Sequence, residues 1–138
     1  MRDRLTIFLE AAIKRPFFWG DTDCFILATD WVNENAGKDV FAEYNFRKHY
    51  KTPLGAVRCY RKFNFKTIQD VWENFLNPVS AEFATRGDVC ISKIDGFTMP
   101  ATGIVLDKFL SAFQSEKGLS FQPTENATDF YEVPKCHP

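Results

Sequence analysis

The hydrophobic pattern of this chain changes period once, near residue 85, and that change restricts the fold more than any other feature. Before it, apolar side chains recur at the i, i+3, i+4, i+7 spacing of helices that bury one face. Leu5, Phe8, Leu9, Ala12 and Ile13 form such a stripe over 3–15. Pro16 stops it, because the residue before a proline is pushed out of the helical region. Asp21, Thr22 and Asp23 each offer an N-cap, and a second helix runs from Cys24 to Asn35. Its Phe25, Ile26, Leu27, Ala28, Trp31 and Val32 leave little polar face, so it is expected at the centre of the domain, with Gly37 as its C-terminal cap. Thr52-Pro53 starts a third helix through Leu54, Val57 and Tyr60. Thr67 starts a fourth, with Ile68, Val71, Trp72, Phe75 and Leu76 on one face and Asn77-Pro78 at its end. After residue 85, short apolar runs alternate with turn formers at 89–91, 103–106, 109–113 and 119–121, and 131–133 reads as an added edge strand. Helices first and strands afterwards predict one α+β domain over 1–138, with N-terminal helices packed on a C-terminal antiparallel sheet of about four to five strands.

Composition removes several function classes. Hydrophobic residues make up 45% of the 138, which excludes disorder for the bulk of the chain. Lys plus Arg is 17 against 18 Asp plus Glu, so there is no surplus positive charge to hold nucleic acid. Arg58, Arg61, Lys62 and Lys66 surround Phe63 and Phe65, and the solvated face of a helix explains that run. No apolar run is long enough for a membrane span. Glu10 and Lys14 interrupt the segment where a secretory signal would need an apolar stretch. Cys24, Cys59, Cys90 and Cys136 are therefore expected as free thiols in a reducing compartment. Neither Cys136-His137 nor His49 with Cys59 has zinc-site spacing, so no metal and no cofactor is expected. The 15 Phe are expected to fill a compact core, with Phe17, Phe18 and Trp19 packing at the approach to the second helix.

The segment Phe18-Trp19-Gly20-Asp21-Thr22-Asp23-Cys24 carries the chemistry. It places a thiol in the first turn of a buried helix, where unpaired N–H groups and the helix dipole favour thiolate. An ordinary thiol is roughly 3% ionised at neutral pH, and a one-unit depression raises this to roughly a quarter. Asp21 and Asp23 oppose that shift, because a nearby carboxylate disfavours a second negative charge.

The Trp-Gly-x-x-Asp-Cys segment resembles the nucleophile motif of the NlpC-type cell-wall peptidases, a compact branch of the papain-like cysteine hydrolases. Gly87-Asp88-Val89 is similar to the step that opens that family's first core strand, and Ala101-Thr102-Gly103-Ile104-Val105 to the next strand, where the family carries His-x-Gly-Ile. Over about 16–133 the chain looks like a small family encoded by phages, prophages and gene transfer agents, with Arg47-Lys48-His49-Tyr50 and Gly118-Leu119 as further shared segments. The resemblance implies an NlpC-like domain in which Cys24 on its helix faces the sheet, a histidine on the adjacent strand serves as base, and a third polar residue orients it. It implies Asp23 in a supporting role and Trp19 and Gly20 beside the substrate. It also implies a place at a virion tail tip or baseplate, assembled in the bacterial cytoplasm, with tail hub or tail-fibre proteins and peptidoglycan as partners.

The chain departs from that pattern at the base. Ala101 takes the place of the family's histidine, and only His49 and His137 exist. Cys24 is followed by Phe25-Ile26 where active enzymes carry small residues. General acid–base assistance is worth on the order of 10²–10⁴-fold, and a more ionised thiol does not replace the proton that an amine leaving group needs. The expectation is a tail-tip component with a degenerate or weakly active peptidase-like fold. The alternative is an active cysteine amidase or endopeptidase that opens peptidoglycan during genome delivery, with His49 as substitute base.

Overall fold

The computed structural model describes residues 2–94 and 99–134, so Cys136 and His137 lie outside the described residues. Helix α1 (Arg4–Ile13) starts where the Asp3 side chain accepts from Thr6 N–H. It buries Leu5, Leu9 and Ala12, while Ile13, expected on the stripe, stands exposed just before the chain turns at Pro16. Helix α2 (Cys24–Ala36) ends at Gly37 in the left-handed conformation. It buries Phe25, Ile26, Leu27, Ala28, Trp31 and Val32, as a central helix must. Thr52 caps α3 (Pro53–Lys62), whose only fully buried residue is Cys59; Leu54 is exposed, so this helix lies at the margin of the core. A capping box of Thr67 and Asp70 opens α4 (Ile68–Phe75), which buries Ile68, Val71 and Trp72. Among the described residues no helix is long and apolar enough to cross a membrane.

Six strands form one antiparallel sheet: β1 (Asn77–Val79), β2 (Val89–Ser92), β3 (Ala101–Val105), β4 (Leu110–Ser115), β5 (Gly118–Pro123) and β6 (Ala127–Glu132), in the order β1-β6-β2-β3-β4-β5. Two expectations change here. The terminal strand is no edge strand, since β6 pairs with β2 on one side and β1 on the other. Asn77-Pro78, read only as a helix stop, continues as β1, an edge position where a proline without N–H costs no ladder bond.

The pleat divides the sheet residues between two clusters. Val89, Ile91, Ile104, Ala112 and Tyr131 join the helices in the main core. Cys90, Val105, Phe113 and Phe130 form a smaller cluster on the far face, against which Ala84, Ile94, Ala101 and Ala127 pack. Gly87-Asp88 fastens the layers together. Trp31 Nε1 of α2 donates to Gly87 O at 2.8 Å, and Val105 N–H donates to Asp88 O at 2.8 Å. The Asp88 carboxylate accepts from Thr85 N–H at 2.8 Å and from Val133 N–H at 3.1 Å, so it joins the start of β2 to the segment leaving β6.

The stretch between Gly37 and Thr52 has no regular element and is held by rings. Phe41 lies 4.5 Å from Phe75 and 5.8 Å from Trp72, centroid to centroid. Tyr44 stacks on Phe46 and meets Phe63 and Phe65 edge-on or tilted. Phe63 and Phe65 are therefore occupied inward, while Arg58, Arg61, Lys62 and Lys66 are exposed on the outer side.

A Cβ on Gly103 would lie 2.4 Å from the Phe113 ring, which is 2% exposed and has no room to retreat. Gly103→Ala is expected to lower the unfolding free energy by about 1–3 kcal/mol through overpacking of the far-face cluster, read from urea denaturation.

Candidate functional site

The loop before Cys24 is a set of local backbone bonds closed by side chains. Asp21 and Thr22 N–H both donate to Phe18 O. Thr22 Oγ1 accepts from Phe18 N–H at 2.7 Å and donates to Pro16 O at 2.8 Å. Gly20 has φ +81°, and a Cβ there would meet the Tyr50 carbonyl oxygen at 2.1 Å, so only glycine fits. This close approach lets Lys48 N–H donate to Gly20 O at 2.6 Å.

Asp23 is the N-cap of α2 and is 1% exposed. Its Oδ1 accepts from Ile26 N–H at 2.9 Å; its Oδ2 accepts from Gly20 N–H and from the Tyr50 hydroxyl, both at 2.7 Å. The Trp-Gly-x-x-Asp-Cys motif thus has a mechanical basis: the carboxylate ties its own helix, the loop and the 46–50 segment to one point. Burial raises the Asp23 pKa above the usual carboxylate range, against the pull of these donors. Burial first, and then the Asp23 charge, raise that of Tyr50. Arg47 adds a second tie, donating to Asp30 Oδ2 at 2.6 Å and Asp21 O at 3.0 Å. Residues 47 and 50 gain these roles because the loop folds back on α2; the shared Arg47-Lys48-His49-Tyr50 segment marked them in the sequence without telling what they bind.

Cys24 is the first residue of α2 and keeps some exposure. The protein packed around its sulfur raises the thiol to about 12; the Asp23 charge adds to that effect, and the backbone at Thr102 opposes it. The helix N-terminus does not produce a thiolate here: burial and an adjacent carboxylate outweigh it.

The strand opposite differs from expectation in its register. Ala101 packs with the far-face cluster, not with the helices. Thr102 faces them instead, its hydroxyl accepting from Trp72 Nε1 at 3.2 Å. A side chain at position 101 therefore projects away from α2, because alternate residues of a strand occupy opposite faces. His49 is exposed, with Nε2 3.4 Å from Asn45 Nδ2, while its neighbour Tyr50 turns inward. Trp19 is half-buried, and its Nε1 donates to Glu116 Oε1 at 3.0 Å in the β4–β5 turn. Phe18 is exposed; Trp19 packs against the main core, and Phe17 is half-buried edge-on to the Trp19 ring at 5.1 Å.

Gln114 is a further polar group on this side of the sheet. It lies two residues beyond Ala112, on the same face, is 6% exposed, and its Oε1 has no hydrogen-bond partner. The run ending at Phe113 stops one residue short of it, which is why periodicity passed it over. Among the described residues no group of His, Cys, Asp and Glu could hold a metal ion.

At pH 8 a thiol of pKa about 12 holds about 1,000-fold less thiolate than one of pKa 9, and its greater intrinsic nucleophilicity returns about 20-fold. Cys24 is expected to alkylate about 50-fold more slowly than a model peptide thiol, measured by peptide-resolved mass spectrometry. The same shift sets a pH dependence. A folded-state pKa above the unfolded value of 9.0 means that the native chain keeps a proton the unfolded chain releases. Stability is expected to be full below about pH 9 and to fall as pH rises toward 12, with Cys24→Ala removing part of the slope in alkaline denaturation curves.

No curated protein matches the chain. Residues 1–133 match a family described as a domain of unknown function, DUF6950. That match spans nearly the whole sequence, and the chain belongs to this family.

Proposed function

We propose that this protein is a phage-type tail-tip or baseplate component in which a cysteine-peptidase-like scaffold serves attachment rather than hydrolysis. The observation that carries the reading is the state of the thiol. Cys24 occupies the helix start that the NlpC-type resemblance assigns to a nucleophile, yet it is protonated to about 12. The residue in the base's place, Ala101, points to the opposite face of the sheet. The only histidine among the described residues is engaged at the surface by Asn45. Asp23 has a full structural occupation as cap and tie point, which accounts for an Asp-Cys pair without catalysis. The tail hub or fibre setting, the virion location and the NlpC-like fold come from the resemblance of the motifs in order.

One observation favours the second reading, a working peptidoglycan amidase or endopeptidase. Gln114 presents an unpartnered oxygen from the sheet face turned to α2, where a hydrolase would want a polar group.

Purified protein and Cys24→Ala are compared for release of soluble fragments from dye-labelled peptidoglycan and for incorporation into tails. The expected outcome is no release by either protein and equal incorporation, since alanine maintains the helix. Release by the wild type that Cys24→Ala abolishes would establish the enzyme instead.

A further inference from the structure

The sheet ends at β5, and among the described residues nothing pairs with its outer edge. The bond from Thr124 N–H to Phe109 O fixes which groups face inward. With the register running from Gly118↔Ser115 to Pro123↔Leu110, the even-numbered residues of β5 bond to β4. The main-chain groups of Leu119 and Phe121, and the carbonyl of Pro123, point outward. The odd-numbered side chains share the face on which Leu119 meets the main core. Beyond the helices that face is open: Phe121 is 52% exposed, and Leu110, beside Pro123, is 43% exposed.

The two edges of the sheet are protected very differently. The β1 edge is three residues long and contains Pro78. The β5 edge is six residues long, keeps one register with β4 throughout, and has its proline only at the last position. Such an edge is a template for another strand. Charges sit just outside it, all exposed: Lys117 at one end, beside Glu116, whose carboxylate accepts from Trp19 Nε1, and Glu125 at the other.

Along that face Leu119, Phe121 and Pro123 form an apolar stripe, while Lys117, in the β4–β5 turn, and Glu125, in the 3-10 turn that follows the strand, put opposite charges at its two ends, each four residues from Phe121. We propose that two copies of this chain associate through β5, antiparallel about a two-fold axis at Phe121, into one continuous sheet. In this pairing Phe121 lies opposite Phe121 and Leu119 opposite Pro123, and the end of one strand that carries Lys117 meets the end of the other that carries Glu125. Each copy donates from the N–H of Phe121 and of Leu119, and the N–H that Pro123 lacks leaves no orphan donor. The interface is isologous, as a two-fold axis requires. The charges select the register: a shift by one residue sets apolar side chains on opposite faces, and a shift by two separates Lys117 from Glu125.

The test is sedimentation velocity of the full chain between about 1 µM and 1 mM, the range in which an interface of this kind dissociates. A monomer–dimer equilibrium is expected. Lys117→Glu and Glu125→Lys are each expected to weaken it about tenfold by setting like charges face to face at both ends. The double variant K117E/E125K restores the opposite pairs and is expected to return to near wild-type affinity. Phe121→Asp is expected to leave only monomer, and because these three side chains are exposed, circular dichroism should show an unchanged fold. A monomer throughout the range overturns the proposal. So does a dimer that survives Phe121→Asp, or a double variant as weak as the single ones.

Discussion

The buried carboxylate of Asp23 is the constraint on which the rest of the site depends. Its two oxygens receive three donors from three stretches of chain: the first turn of α2, the glycine of the preceding loop, and the tyrosine that ends the returning segment. A buried carboxylate is costly unless hydrogen-bonded, so these partners are required by the burial itself. Because they come from residues 20, 26 and 50, satisfying the charge also fixes the path of the chain over α2. Arg47 reinforces that path from the solvent side through Asp21 and Asp30.

The same constraint decides the chemistry of the neighbouring thiol. A cysteine that opens a helix gains from the dipole, but this one also stands beside a buried negative charge and inside packed protein. The dipole effect is worth at most about 2 kcal/mol, and burial together with a like charge exceeds it. The device that positions Cys24 therefore also holds it protonated. A hydrolase with this arrangement needs a cation or an imidazole to offset Asp23, and the sheet face turned to α2 supplies Thr102 and Gln114 instead.

The large number of phenylalanines has a comparable structural basis. A stretch of more than a dozen residues without regular structure needs its own anchorage, and Phe41, Tyr44 and Phe46 provide it by packing against rings from α4 and from the turn after α3. Aromatic rings suit this task because each buries a large area with few torsions to restrain.

By itself, the sequence determined what depends on neighbours a few residues apart. The starts of α3 and α4 follow from Thr52 and Thr67, that of α2 from the run Asp21-Thr22-Asp23, of which the structure uses Asp23, and the centrality of α2 from its unbroken apolar faces. The α+β class follows from the change of period, and the Gly-Asp step marks the start of β2. Tertiary structure decided what depends on residues far apart. It moved the last strand from the edge to the interior, because strand order is set by long-range pairing and not by chain order. It turned Ala101 away from Cys24 and Thr102 toward the helices, because one step along a strand reverses the face. It gave Tyr50 and Arg47 their partners and left Gln114 without one, because a buried polar group is satisfied only by what the fold brings within bonding distance.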